Sequence, residues 1–363
     1  MQTVMTILGT RPEIIRLSKI MPLLDKHCKH IIVNTMQNYD FNMNRVFFEE
    51  LRLREPDIHF NLKGASLGAQ IGTMFCDIEK VFKEYKPDAV LILGDTNSGL
   101  CAIVAERMGI PVYHMEAGNR CFDNSVPEEV NRKVIDAIAS YNLPYVFGSR
   151  ENLLVEGVDK RRIFTCGNPI AEVLEDYRYK IKAKENEVLD SLDIKKGEYF
   201  LATFHRAETV DIKARLLMLL QGLRRIGEKY ELPIICSIHP RTRVKLDALK
   251  LDLGQFIKLS EPFGFFDFVN LEKNAKCILT DSGTVSEEAC LMNVPCVIVR
   301  DVTERPELLR CGSAMLSGVD TQSMVACTEL MEGRTEWCPP EGYTDGDVSQ
   351  KVVQFILGGN HEK

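Results

Sequence analysis

Residues 89–132 read AVLILGDTNSGLCAIVAERMGIPVYHMEAGNRCFDNSVPEEVNR, and this stretch decides the fold class. Ala89 to Leu93 is an apolar run without polar alternation, as a strand buried on both faces requires, and it breaks at Gly94-Asp95-Thr96. Residues 100–108 have the length and pattern of a crossover helix. Residues 111–115 form a second strand that ends at Glu116-Ala117-Gly118. Pro127 takes the first-turn position that proline favours in a helix, and the charges of Glu128 and Glu129 suit a helix N-terminus. Parallel strands joined by a right-handed crossover present their C-terminal ends on one edge, so Asp95 and Glu116 are expected to face one crevice. Two carboxylates at strand ends and a third opening a helix suit general acid/base chemistry. Helix capping and first-turn charge account for any single one of them equally well.

Outward toward the N-terminus, residues 3–8 form another strand, followed by GTRPE at 9–13 and an amphipathic helix carrying Ile14, Leu17, Ile20 and Leu24. A glycine turn between strand and helix leaves backbone N–H groups unspent, and Arg11 and Arg16 add positive charge, which together make an anion seat. It is not a dinucleotide fingerprint, since G-x-G-x-x-G occurs nowhere in the chain. Residues 31–35 form a strand that ends in the polar turn Gln37-Asn38-Tyr39-Asp40, suited to a sugar or base as readily as to a plain loop. Residues 41–51 and 67–85 read as helices. Beyond Pro127, Val130, Val134 and Ile138 recur four apart and predict a core-facing stripe, while Glu128 and Arg132, one turn apart, suit a surface ion pair. Residues 145–148 and 163–166 read as two further strands. The strand–helix alternation to about residue 170 is that of a doubly wound parallel sheet.

A boundary falls at Asn168-Pro169, and residues 180–196, highly charged with few apolar positions, read as solvated surface or linker. The alternation then restarts. Strands over 199–204, 234–238, 256–259, 277–280 and 294–299 are predicted, with His205-Arg206-Ala207-Glu208-Thr209 after the first and His239-Pro240-Arg241 after the second. After the fourth comes DSGTVSEE at 281–288, where a Ser-Gly turn opens a helix, the geometry that binds a diphosphate. Glu288 in that helix is positioned to accept from both hydroxyls of a ribose. A plain N-cap at Ser282 is the competing reading. The expected architecture is α/β, two doubly wound Rossmann-like domains facing a cleft, with domains at 1–169 and 170–345 and a terminal helix in 346–363 packing back on the first.

With 363 residues, 45% hydrophobic and 27% charged, the chain is long enough for two ordinary domains with full cores. A net charge of −7 argues against nucleic acid or an anionic membrane surface as partner, so an anionic substrate needs local positive charge. No apolar run is long enough to span a bilayer, and the N-terminus leads straight into a glycine turn rather than a signal peptide. Twelve cysteines without C-x-x-C, with Cys28, Cys101, Cys236, Cys277, Cys290 and Cys296 in apolar surroundings, fit reduced thiols in a cytoplasmic protein and no metal site. His27, His30, His59 and His361 read as structural. His205 and His239 each sit where an apolar strand ends, and Arg206 is expected to favour the neutral form of its neighbour.

GTRPE at 9–13, GDTNS at 94–98, HMEAGNR at 114–120, VPEEVNR at 126–132, HR at 205–206, HPR at 239–241, DSGTVSEEA at 281–289 and TERPE at 303–307 occur in this order. Together they resemble the non-hydrolysing UDP-N-acetylglucosamine 2-epimerase family over nearly the whole chain. The resemblance implies a fold of the glycosyltransferase B type with substrate in the interdomain cleft, commonly a homodimer, and inversion at C2 of a UDP-N-acetylhexosamine without metal or nicotinamide cofactor. It puts the acid/base carboxylates on Asp95, Glu116 and Glu128 and the cleft histidine on His205. Arg11, Arg16, Arg132, His239, Ser282, Gly283 and Glu288 fall where the family holds UDP or the reacting sugar. Lysine is common where this chain has Arg16, and Gln37-Asn38 and Ala207 depart from positions that bind a second, activating UDP-sugar in some members. Asn119-Arg120-Cys121 departs from the commoner Leu-Arg-Thr and leaves the exact sugar open.

The chemistry agrees with that resemblance independently. The C2 hydrogen of a hexosamine is not acidic, so inversion needs either transient oxidation, which calls for nicotinamide, or elimination of UDP across C1–C2. Without a dinucleotide fingerprint, elimination is favoured. A retaining UDP-sugar glycosyltransferase would transfer sugar to a separate acceptor, and a silent sensor would bind UDP-sugar without consuming it. A sibling acting on a 2,3-diacetamido or 6-deoxy sugar would differ only in substrate.

Overall fold

Short, mostly apolar runs of three to six residues form eleven of the twelve strands found among the described residues of the computed structural model, which are 1–35, 41–62, 66–249 and 251–358, side chains of 41–44 and 241 excepted. The Gln37–Asp40 turn and His361 lie outside the described residues. The first six strands are β1 (Thr3–Leu8), β2 (Lys29–Asn34), β3 (Ile58–His59), β4 (Ala89–Leu93), β5 (Val112–Met115) and β6 (Tyr141–Leu143). All pair in parallel in the order β3-β2-β1-β4-β5-β6. The next six are β7 (Phe200–Thr203), β8 (Ile234–Ser237), β9 (Ile257–Ser260), β10 (Cys277–Thr280), β11 (Cys296–Ile298) and β12 (Ala314–Leu316). Their order, β12-β11-β10-β7-β8-β9, repeats the same topology, and both sheets are wrapped by helices. These are two Rossmann-like domains. The chain divides into the units Met1–Glu175 with Glu341–Lys363, and Asp176–Pro340.

In each sheet the strand order reverses once, between β1 and β4 and between β7 and β10. Chains leaving two adjacent strands there diverge to opposite faces and open a crevice at the carboxyl ends. The crevice of the first sheet is therefore edged by Gly9-Thr10-Arg11 and Gly94-Asp95-Thr96, and that of the second by Phe204-His205-Arg206 and Asp281-Ser282-Gly283.

Four expectations need correction. Residues 145–148 are not a strand: the strand is β6, and Phe147–Val155 is a helix. Residues 163–166 contribute only an isolated bridge between Ile163 and Asn142. The charged stretch after 180 belongs to a helix, Arg178–Ser191, which buries Ile181, Val188 and Leu189 and whose Ile181 carbonyl accepts from Asn270 Nδ2 at 2.7 Å. Three well-spaced apolar residues suffice to dock a helix that is otherwise polar. In Pro127–Ile138 the expected stripe holds only in part: Val130 is 47% exposed, while Val134 and Ile138 are half-buried against the apolar core. The buried face carries Ile135, which enters the apolar core, and Glu129, Arg132 and Asp136, which join a charged network.

The terminal helix Val348–Gly358 belongs to the first unit: Ser349 N donates to Glu172 Oε2 at 2.9 Å, and Phe355 stacks on Phe164 with ring centroids 4.3 Å apart. The loop after β5 is tight at Gly118, where φ is +79° and an added Cβ would lie 2.1 Å from the Ser149 carbonyl oxygen. Gly118→Ala therefore combines left-handed strain with a backbone clash, and is expected to cost roughly 3 kcal/mol or more. A lowered thermal midpoint checks this; an unchanged one refutes it.

Candidate active site

In the first unit, the register Leu93↔Met115 carries Gly94 alongside Glu116, so the segments bearing Asp95 and Glu116 leave the sheet side by side. Glu116 adopts a left-handed φ of +67°, a strained state for a non-glycine residue that persists only where its surroundings enforce it. Here Arg16 enforces it, donating to Glu116 Oε2 in a buried ion pair, with the Arg16 guanidinium 5.9 Å over the Tyr145 ring. Arg132 Nε donates to Asp95 Oδ2 at 3.0 Å and its Nη1 to Glu129 Oε2 at 2.5 Å. Arg132 is thus buried among carboxylates rather than lying at the surface. Glu129 also accepts from the backbone N–H of Cys121 at 3.1 Å and of Phe122 at 3.0 Å, which ties the loop before the helix to its first turn. Its neighbour Glu128 is half-buried at the helix start.

Beneath these groups lies a fully buried network absent from the sequence reading. His114 Nδ1–H donates to Asp136 Oδ1 and Nε2–H to the Gly94 carbonyl, both at 2.8 Å. Both neighbours are acceptors, so the ring carries two protons. Burial alone would lower its affinity for the second, but Asp136 and the Gly94 carbonyl outweigh burial and hold the pKa above the ordinary value. Asp136 Oδ2 also accepts from Gly118 N at 3.0 Å and from Arg120 Nη1 at 2.7 Å, and Arg120 is further paired to Glu156. The residues on either side of the two strand-end carboxylates, Gly94 and Gly118, are therefore anchored to one buried hub.

Glu13 is a second unforeseen member. Its Oε2 accepts from the N–H of Gly9 at 2.5 Å and of Thr10 at 2.7 Å, and its Oε1 accepts from Thr96 Oγ1 at 2.7 Å. One carboxyl thereby closes the turns after both β1 and β4. Burial pushes it up to about 7, against the donors that pull it down. The T-x-x-E spacing of Thr10 and Glu13 is a capping-box signal that reveals it. Arg11 is half-buried, its guanidinium 5.8 Å over the Phe47 ring.

In the second unit, Asp281, fully buried at the end of β10, accepts through Oδ2 from the N–H groups of His205 at 2.7 Å and Arg206 at 2.8 Å. Its Oδ1 lies 3.1 Å from His205 Nδ1. Burial raises the Asp281 carboxyl, but His205 and the Arg206 N–H outweigh that and hold it below the ordinary carboxylate range. The charge nearest His205 is thus a carboxylate, not only Arg206 as the sequence suggested. That carboxylate lies beside the Nδ1 edge of the ring, while the His205 side chain remains 51% exposed. Ser282 is the N-cap of the helix Gly283–Leu291 without spending its side chain on the cap. A Cβ at Gly283 would lie 2.8 Å from Glu304 Oε1, so only glycine leaves this turn open. Within the same helix Glu287 accepts from Arg305, and Glu288 is buried. His239 precedes the helix Pro240–Leu249, its carbonyl accepting from Thr242 N at 2.9 Å. Among the described residues, no group of three or more His, Cys, Asp or Glu side chains is arranged to hold a metal ion. No helix among the described residues is long and apolar enough to cross a membrane.

Two Rossmann-like domains with polar groups concentrated at both switch points define a protein of the glycosyltransferase B class. Residues 23–357 match the family model described as UDP-N-acetylglucosamine 2-epimerase. A UDP-N-acetylglucosamine 2-epimerase of Methanocaldococcus jannaschii is 41% identical over 98% of this chain and 99% of its own length. A crystal structure of the M. jannaschii enzyme in complex with UDP-GlcNAc and UDP superposes with a TM-score of 0.91 at 39% identity, covering 99% of this chain and 100% of that one. A UDP-2,3-diacetamido-2,3-dideoxy-D-glucuronate 2-epimerase of Pseudomonas aeruginosa is 32% identical over 97% of this chain and 99% of its own length. The chain belongs to the UDP-N-acetylglucosamine 2-epimerase family.

Proposed function

We propose that this protein interconverts UDP-GlcNAc and UDP-ManNAc as a non-hydrolysing 2-epimerase, an isomerase working without metal or redox cofactor. The observation that carries the reading is the pair of strand-end carboxylates, Asp95 and Glu116, each gripped by its own buried arginine. Groups so held are fixed rather than mobile, as proton transfer to one face of a carbon requires.

A base takes the C2 proton, the electron pair of that C–H bond forms the C1–C2 double bond, and the C1–O bond breaks with UDP carrying away its electrons. A 2-acetamidoglucal results. A proton then returns to C2 from the opposite face and UDP re-adds at C1. Opposite-face transfers need more than one acid/base group, and Asp95, Glu116 and Glu128 are the candidates. Arg16 and Arg132 serve in this reading by aiming carboxylates toward the reacting sugar. The leaving diphosphate gains negative charge as the bond breaks, so donors that tighten then are catalytic. His205, Arg11 and the Ser282-Gly283 turn supply them, His239 adds a polar group to the nucleotide seat, and Glu288 accepts from the ribose hydroxyls.

Turnover in deuterated water is expected to put deuterium at C2 of recovered UDP-sugar, read by proton NMR. Product that keeps its original hydrogen would eliminate this mechanism. The Pseudomonas relative favours one second reading, a 2,3-diacetamido substrate. A panel of UDP-sugars in the same NMR assay separates the two. We further propose a cytoplasmic homodimer, for which light scattering should give twice the 41.2 kDa chain mass.

A further inference from the structure

Glu13 has no part in the reading above. It stands at the third position of the helix Arg11–Leu17, where a glutamate that only caps its helix needs one bond, to the N–H of Thr10, and can keep its other oxygen in water. Glu13 is instead 2% exposed, with both oxygens spent inside the protein. Its Oε2 takes the N–H groups of Gly9 and Thr10, the same groups that the glycine turn was expected to offer an anion, so this turn is filled from within. Its Oε1 takes the Thr96 hydroxyl at 2.7 Å, from a residue 83 positions away, and that bond contributes nothing to the helix cap. Burying a carboxylate is costly unless donors offset the loss of water, and the two N–H groups and the hydroxyl supply them.

The Thr96 bond falls where the backbone ladder has ended. β1 and β4 pair from Val4↔Ala89 to Ile7↔Ile92, and their chains then part. On the β5 side Gly94 is tied twice, its N–H donating to the Met115 carbonyl at 3.0 Å and its carbonyl accepting from His114. Asn131, from the helix Pro127–Ile138, donates to the Asp95 carbonyl at 3.0 Å. Thr96 comes next, and Glu13 ties it to the β1 side. Thr96 is also the N-cap of the helical turn Asn97–Leu100, yet its side chain makes no bond to that cap. The Asp95 backbone is thus held between an anchor before it and an anchor after it, while Arg132 holds its side chain.

We propose that Glu13 is a positioning residue for the epimerase reaction: by joining the turn that carries Arg11 to the turn that carries Asp95, it sets the Asp95 carboxylate where it reaches the C2 proton. This rests on the reading of Asp95 as an acid/base group. Glu13 acts through the backbone that it holds.

The test is Thr96→Val in the full chain, which removes the hydroxyl at nearly constant volume and leaves Glu13 its bonds to Gly9 and Thr10. Turnover per UDP-binding site, with sites counted by calorimetry, should fall roughly ten- to hundredfold, the effect of misplacing a reacting group by about 1 Å. The dissociation constant for UDP should stay within about threefold of wild type. Thr96→Ser keeps the hydroxyl and should hold turnover within about threefold. A bond that served stability alone would lower the thermal midpoint and the number of UDP-binding sites, but not the turnover of each site. Wild-type turnover per site in Thr96→Val therefore overturns the proposal, provided Asp95→Asn has lost turnover. Wild-type turnover in Asp95→Asn instead removes the acid/base reading of Asp95, and the proposal with it. A loss in Thr96→Ser as large as that in Thr96→Val also overturns the proposal, since the hydroxyl would then not be the group that matters. Should Thr96→Val fail to fold, Thr96→Ala at this half-buried position decides by the same readings.

Discussion

Asp95→Asn is expected to lower the turnover number by about 10²–10⁴-fold, the range for loss of one positioned acid/base group. UDP affinity should stay within a few-fold of wild type, because the nucleotide seat lies in other segments. The side chain keeps its shape, and Arg132 keeps its bond to Glu129, so the loop geometry survives. In the proposed mechanism, what is lost is a group that exchanges a proton with the C2 carbon. Deuterium wash-in at C2 should fall in step with turnover. A variant that turns over at the wild-type rate would remove Asp95 from the mechanism. One that loses UDP binding as well would recast Asp95 as part of the nucleotide seat.

The second large effect is on stability. Asp136→Ala removes the acceptor shared by His114, Gly118 and Arg120, leaving a doubly protonated imidazole and a guanidinium short of negative charge in the interior. Breaking a buried pair by removing one partner costs about 3–5 kcal/mol. Chemical denaturation should show the loss, and an effect under 1 kcal/mol would contradict the network. Its pH dependence has a defined sign. The folded pKa of His114 lies above its ordinary 6.5, so its contribution is complete below 6.5 and is lost as pH rises through the higher folded value. Burial raises the Asp136 carboxyl, but His114 and Arg120 outweigh it and bring it below its ordinary 3.8. Its contribution is therefore complete above 3.8 and is lost as pH falls through the lower folded value. The stability gap between wild type and Asp136→Ala should be widest between those limits and narrow on both sides. The same substitution frees the Gly118 N–H and loosens the His114 ring that holds the Gly94 carbonyl, so activity should fall even in the molecules that remain folded.

Much of this was legible in the linear chain because it depends on near neighbours. Short apolar runs such as residues 89–93 and 277–279, each followed by a glycine-containing turn, fit strands buried on both faces that leave the sheet at its carboxyl edge. Pro127 followed by Glu128 and Glu129 marks a helix start. Eight ordered motifs named the family. Other features depended on contacts between distant residues. Arg16 and Glu116 are a hundred positions apart, and nothing local in either segment specifies their pairing. The Pro127–Ile138 helix looked as if Val130 should face inward, because period alone cannot distinguish an apolar core from a buried ionic network that claims Glu129, Arg132 and Asp136 for the interior. His114 appeared as one more strand residue until the sheet packed it between Asp136 and the Gly94 carbonyl. The sequence alone thus determined most of the strands and helices and the polar residues that end them, since those follow from backbone geometry and short-range patterning. The tertiary structure alone decided which charge holds which carboxylate, because a buried ion pair exists only after chain closure has brought its partners together out of water.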